Sequence, residues 1–188
     1  MAKDVIIFTD GDETAYRALQ VACQDLGLYP LHASQGNPTP LRGERLIEAI
    51  AKASQGPVVV MVDDRGDKGK GVGEQALEDL MNSPDINVLG VVAVAANTQP
   101  VEGVTVDSSI TNEAVLVSTA VNKEGEPTSG NILHGDTVDV LSHGVSVPVV
   151  GLGDPGKMGG KDSIQHGVPV TKEALEEVLR RAGYPGGA

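Results

Sequence analysis

The residues here whose types and spacing could do chemistry are acids, amides and glycines set at the ends of apolar runs. Asp10 and Asp12 follow Val5–Thr9, Asp63 and Asp64 follow Val58–Val62, and Asp154 and Lys157 follow Val145–Leu152. Gln35, Gly36 and Asn37 close a weaker run, Leu28–Ala33, and Asn97 and Thr98 close Ile86–Ala95. Carboxylate oxygens suit a hard divalent cation, magnesium or calcium, rather than zinc. Asp10, Asp12, Asp63 and Asp154 are the metal candidates, with Glu74 as a substitute for the last. A second reading uses the same acids as caps on the helices that follow, where carboxylates satisfy free amides and the helix dipole. Both readings stand at this level.

Around these acids lie the candidate ligand-binding positions Gln35, Asn37, Gly71, Gly73, Thr98 and Lys157. The stretch Asp64–Gly73 is glycine-rich like a phosphate loop but lacks the order G-x-x-x-x-G-K-[ST], because Lys70 is followed by Gly71. It reads either as a mobile loop or as amides of Gly71–Glu74 holding a small anion at a helix start. His32, His134, His143 and His166 are dispersed, and no serine sits in a G-x-S-x-G elbow, so covalent hydrolase chemistry has no support. Cys23, alone of its kind, lies in an Ala/Leu-rich helical stretch and reads as buried packing.

The elements that must position these groups alternate. Strand-like Val5–Thr9, Leu28–Ala33, Val58–Val62, Ile86–Ala95 and Val145–Leu152 are separated by segments with apolar residues at helical spacing: Ala15, Leu19 and Cys23; Leu46 and Ile50; Ala76, Leu77 and Leu80. Gly27 closes the first helix, and Thr171 is expected to cap a final helix carrying Leu175, Val178 and Leu179. Strands apolar on both faces predict an α/β fold: a doubly wound, mainly parallel five-stranded sheet with helices on both faces. Such sheets bind ligands beyond the carboxyl ends of their strands, which is where the acids fall. Residues 1–98 and 145–184 form the expected core of a single domain, 1–188. Residues 99–144 read as an insertion containing a β-hairpin, with strands at Thr105–Ile110 and Ala114–Val121 and a short helix within Asn131–Ser142.

Composition narrows the partners. With 26 acidic against 14 basic side chains, the net charge of −12 opposes binding to nucleic acid or to anionic lipid. One Phe, three Tyr and no Trp leave an aliphatic core and little for nucleobase stacking along a strand. No apolar run approaches the roughly 18–20 residues of a membrane span, and the start of the chain lacks the pattern of a signal peptide. A soluble protein without direct membrane insertion is expected.

Three resemblances follow from these residues. Asp10/Asp12, Asp63, Thr98 and Lys157 at four strand ends resemble the phosphoacceptor constellation of response-regulator receiver domains. Phe8–Glu13 followed by an Ala-rich helix resembles the metal-binding strand of topoisomerase–primase (Toprim) domains. Either would imply divalent-metal-dependent phosphoryl transfer or phosphate binding, with Asp10, Asp12 and Asp63 on the metal. The third covers nearly the whole chain. Val5–Glu13, Ser34–Pro38, Val60–Asp64, Gly71–Ala76, Val88–Ala95, Gly135–Val138 and Val149–Met158, in that order, resemble the soluble stage V sporulation protein AE family. That resemblance implies a non-enzymatic accessory or regulatory protein for spore dipicolinic acid transport and germination. Its implied partners are membrane-embedded channel components of the same sporulation operon, and a homo-oligomer is compatible with it. The implied location is cytoplasmic to peripheral at the spore inner membrane. No established site residues come with the resemblance, so the strand-end candidates rest on the sequence itself.

Overall fold

The computed structural model describes residues 1–65, 71–97, 103–135, 137–138, 141 and 145–185. Its strands are β1 (Lys3–Phe8), β2 (Tyr29–Pro30), β3 (Val58–Met61), β4 (Ile86–Val94), β5 (Val104–Thr105), β6 (Ser108–Ile110), β7 (Leu116–Val117), β8 (Ile132–Leu133) and β9 (Val149–Leu152). Its helices are α1 (Glu13–Leu26), α2 (Gly43–Ala51), α3 (Val72–Asn82) and α4 (Pro169–Arg181).

Seven strands form one sheet in the order β2-β3-β1-β4-β9-β6-β7, and β5 and β8 form a separate antiparallel pair. All pairings in the main sheet are parallel except β6 with β7. The expected doubly wound, mainly parallel sheet is therefore present. It exceeds five strands because the segment after residue 99 adds β6 beside β9, and β7 as the return arm of a hairpin.

Period-two alternation divides the core into two layers. Val5 and Ile7 of β1, with Val58 and Val60 of β3 and Val91 and Ala93 of β4, face Leu46, Ile50, Leu77 and Leu80 of α2 and α3. Ile6, Phe8, Val59, Met61, Val92 and Val94 face Leu19 and Cys23 of α1 and Leu175 and Val178 of α4. Cys23 is fully buried, and burial pushes its thiol up to about 12, so it is apolar packing without nucleophilic character at neutral pH. One glycine is demanded by this packing. A Cβ on Gly90 would lie 2.7 Å from Val178 Cγ1 and 2.9 Å from Pro148 O, so the close approach of α4 to β4 excludes a side chain there.

Several sequence expectations change for local reasons. The strand expected over Leu28–Ala33 shortens to Tyr29–Pro30, because His32–Ser34 turn into a single 3-10 turn. Ser34 Oγ holds that turn, donating to Leu31 O and accepting from Met61 N. The strand expected over Thr105–Ile110 splits at Asp107, whose carboxylate accepts from Val149 N and redirects the chain from β5 into β6. The strand expected over Ala114–Val121 keeps only Leu116–Val117, since Ala114 closes a turn at φ 56°. Within Asn131–Ser142, where a short helix is expected, Ile132–Leu133 pair with Val104–Thr105 as a strand, and residues 136, 139, 140 and 142 lie outside the described residues. Thr171 does not cap α4, which begins two residues earlier at Pro169. The buried Asp162 performs that task, accepting from Val170 N, Thr171 N and the Thr171 hydroxyl.

Candidate functional site

The chain leaves β1 through α1 on one face of the sheet, whereas the segment following β4 packs with α2 and α3 on the other face. The neighbours β1 and β4 thus send their connections in opposite directions, and the crevice beyond their carboxyl ends is the topological switch point. A cavity of about 120 Å³ opens there. It is lined by Thr9 and Asp10 after β1, Asp12 at the start of α1, Asn37, Asp63 after β3, Val94–Ala96 after β4, and Asp154 after β9. All four metal candidates therefore meet at one cavity, joined by one of the proposed ligand contacts, Asn37.

Each acid is held by backbone amides, and this decides how much oxygen is left to offer. Asp12 Oδ1 accepts from Ala15 N at 2.7 Å, an N-cap for α1, while Asp12 N donates to Asp10 Oδ1 at 3.1 Å. The buried Asp63 commits both oxygens, Oδ2 to Gly11 N at 2.9 Å and Oδ1 to Arg65 N at 2.8 Å. Its backbone is clamped in turn by Thr39, which donates through N and Oγ1 to Asp63 O and accepts from Asp63 N. Asp154 Oδ1 accepts from Gly156 N at 2.8 Å. Gly11 lies between these parts: a Cβ there would sit 2.0 Å from Gly36 O and 2.8 Å from Asp63 Cβ. Gly11 and Thr9 are not among the site residues expected from the sequence. The signal available was their place inside the Thr-Asp-Gly-Asp turn, where a glycine between two acids permits close backbone approach.

Electrostatically the cavity is strained. Burial, followed by the charge of Asp12, drives the Asp10 carboxyl well above the usual range, and Asp63 and Asp154 add to the effect against the opposing Asp12 N–H. Burial also raises Asp63, against its amide bonds from Arg65 and Gly11 and with Asp64 and Asp12 adding. Asp154 is raised mainly by burial, with Asp12 adding and the Gly156 amide, Lys157 and Lys123 opposing. Mutually raised carboxyls of this kind hold protons more readily than free ones. Among the described residues no group of three or more His, Cys, Asp or Glu side chains converges so as to hold a metal ion. The capping and latching role is the one these acids visibly perform.

The remaining candidates disperse. Gly71 and Gly73 sit at the start of α3 and do not line the cavity, and two of the amides there are occupied. Asp64 Oδ1 accepts from Gly73 N at 2.6 Å, and its carboxylate also takes Glu74 N at 3.2 Å. At Gly73 and Glu74 the protein's own carboxylate thus acts as an internal cap in the place where an anion would sit. Lys157 is exposed and does not line the cavity; its backbone N donates to Asp154 O at 2.8 Å, and its charge opposes the rise of the Asp154 carboxyl. Gln35 lines a neighbouring groove with Tyr16 and His32. Thr98 lies outside the described residues, which leaves the receiver-like constellation incomplete there.

In comparison with known proteins, a family model described as stage V sporulation protein AE1 matches residues 4–182. No curated protein and no solved structure matches.

Proposed function

The chain belongs to the stage V sporulation protein AE family, and on that premise we propose that it is a non-enzymatic accessory or regulatory protein for spore dipicolinic acid transport and germination. A role in sporulation follows from the membership itself. The observation that carries the finer reading is the length of the match, which spans both halves of the sheet and the segment between them rather than one motif. In this proposal the protein works beside membrane-embedded channel components of the same operon. No helix among the described residues is long and apolar enough to cross a membrane. A chain of net charge −12 favours a basic face on those partners and is repelled by anionic headgroups.

The alternative, magnesium-dependent phosphoryl transfer with Asp10, Asp12 and Asp63 on the metal, gains no support, since no group of three or more His, Cys, Asp or Glu side chains among the described residues converges on a metal position. Deleting the gene in its spore-forming host tests the accessory role. Lower dipicolinate content in the mature spore, or slower dipicolinate release on germination, is the expected result. Spores normal in both respects overturn the proposal.

A further inference from the structure

Beside the acid cavity lies a second, larger depression of about 460 Å³, lined by Glu13, Tyr16, Arg17, Gln20, His32 and Gln35. Its volume falls within the roughly 300–1,000 Å³ of small-molecule sites, and it shares the carboxyl edge of the sheet with the switch point. The family membership assigns nothing to it.

Its chemistry differs from that of the acid cavity. His32 is exposed and packs against Tyr16 with ring centroids 5.1 Å apart and planes tilted by 50°. Tyr16 is 8% exposed, so a buried ring backs the exposed imidazole and supports it as a platform. The backbone adds to this: His32 opens the 3-10 turn, and Gln35 N donates to His32 O at 3.0 Å. The half-buried Gln35 side chain has no hydrogen-bond partner among the described residues, and its carboxamide offers both a donor and an acceptor. On the opposite rim Arg17 donates to Glu13, one turn apart on α1, which adds a further donor and acceptor in a pair without net charge.

We propose that this groove binds the flat face of an uncharged nitrogen heterocycle of nucleobase type, stacked on His32 and read at its edge by Gln35 and the Glu13–Arg17 pair. One aromatic platform suffices for a single ring, whereas the scarcity of aromatic residues still opposes stacking along a nucleic-acid strand. The charge requirement comes from the neighbours. Glu13 follows Asp12 directly, and Asp12 lines the acid cavity together with Asp10, so a phosphate beside the ring meets like charge. The first turn of α1 gives such a phosphate no free anchor at Ala15 N or Tyr16 N, which already bond Asp12.

Adenosine and adenosine monophosphate serve as probes, followed by saturation-transfer NMR and calorimetry on the full chain. Adenosine is expected to bind more tightly than its monophosphate. His32→Ala and Gln35→Ala, both at positions outside the buried core, are each expected to weaken adenosine by about fivefold or more with an unchanged thermal midpoint. Absence of adenosine binding overturns the proposal. So does tighter binding of the monophosphate, or binding that both variants retain in full.

Discussion

Replacing Asp64 by alanine gives the sharpest test of how the strand-end acids are used. Its carboxylate accepts from Gly73 N at 2.6 Å and from Glu74 N at 3.2 Å, and the side chain is 4% exposed. An N-cap is worth about 0.5–2 kcal/mol, and hydrogen bonds to a charged group are worth about 1.5–3 kcal/mol each before overlap is counted. The two amides belong to one cap, so about 2–3 kcal/mol is the reasonable loss. In a chain of 188 residues each kcal/mol moves the midpoint by about 2–4 °C, which gives a fall of about 4–12 °C. Asp64→Asn keeps one accepting oxygen and should lose about half as much. Differential scanning calorimetry reads both, in buffers with and without inorganic phosphate. Phosphate should leave the wild-type midpoint in place, because Asp64 fills the Gly73 and Glu74 amides, and should partly restore the alanine variant by binding where the carboxylate was. An unchanged midpoint in Asp64→Ala refutes the reasoning, as does a wild type that phosphate stabilises more than the variant.

Three further outcomes follow from the structure. Folding raises the Asp10, Asp63 and Asp154 carboxyls, so the native state holds protons that the unfolded chain has released. Their contribution to stability is complete below the ordinary carboxylate range and is lost as pH rises through the raised values. The thermal midpoint should therefore rise on mild acidification from neutrality. Asp10→Asn should be more stable than wild type at neutral pH and show a flatter pH dependence, and a less stable variant with an unaltered profile contradicts this. Gly90→Ala should cost about 1–3 kcal/mol in chemical denaturation, because its methyl group must displace Val178 and the backbone at Pro148.

Much of the architecture was legible in the chain because it depends on local signals. Runs such as Val58–Val62, apolar on both faces, state that both sides of a strand are covered, and Gly27 at φ 68° ends α1 where its position in the sequence indicates. The weaker predictions failed where a single side chain overrode propensity. Ser34 folded the end of the second strand into a turn, and Asp107 split one strand into two. The start of α4 at Pro169 also escaped prediction, since its cap, Asp162, comes from seven residues earlier across an irregular loop.

For the site, the sequence alone determined that Asp10, Asp12, Asp63 and Asp154 would share one edge, because strand ends in a parallel sheet point the same way. Only the tertiary structure decided what those acids do. Whether a carboxylate is free to meet a ligand depends on which amides lie within 3 Å of it, and such an amide can arrive from a distant segment, as Gly11 does for Asp63. Spacing along a chain carries no record of such meetings. The same holds for the groove beside the cavity, where Tyr16 and His32 are brought to 5.1 Å by the packing of α1 over the end of β2.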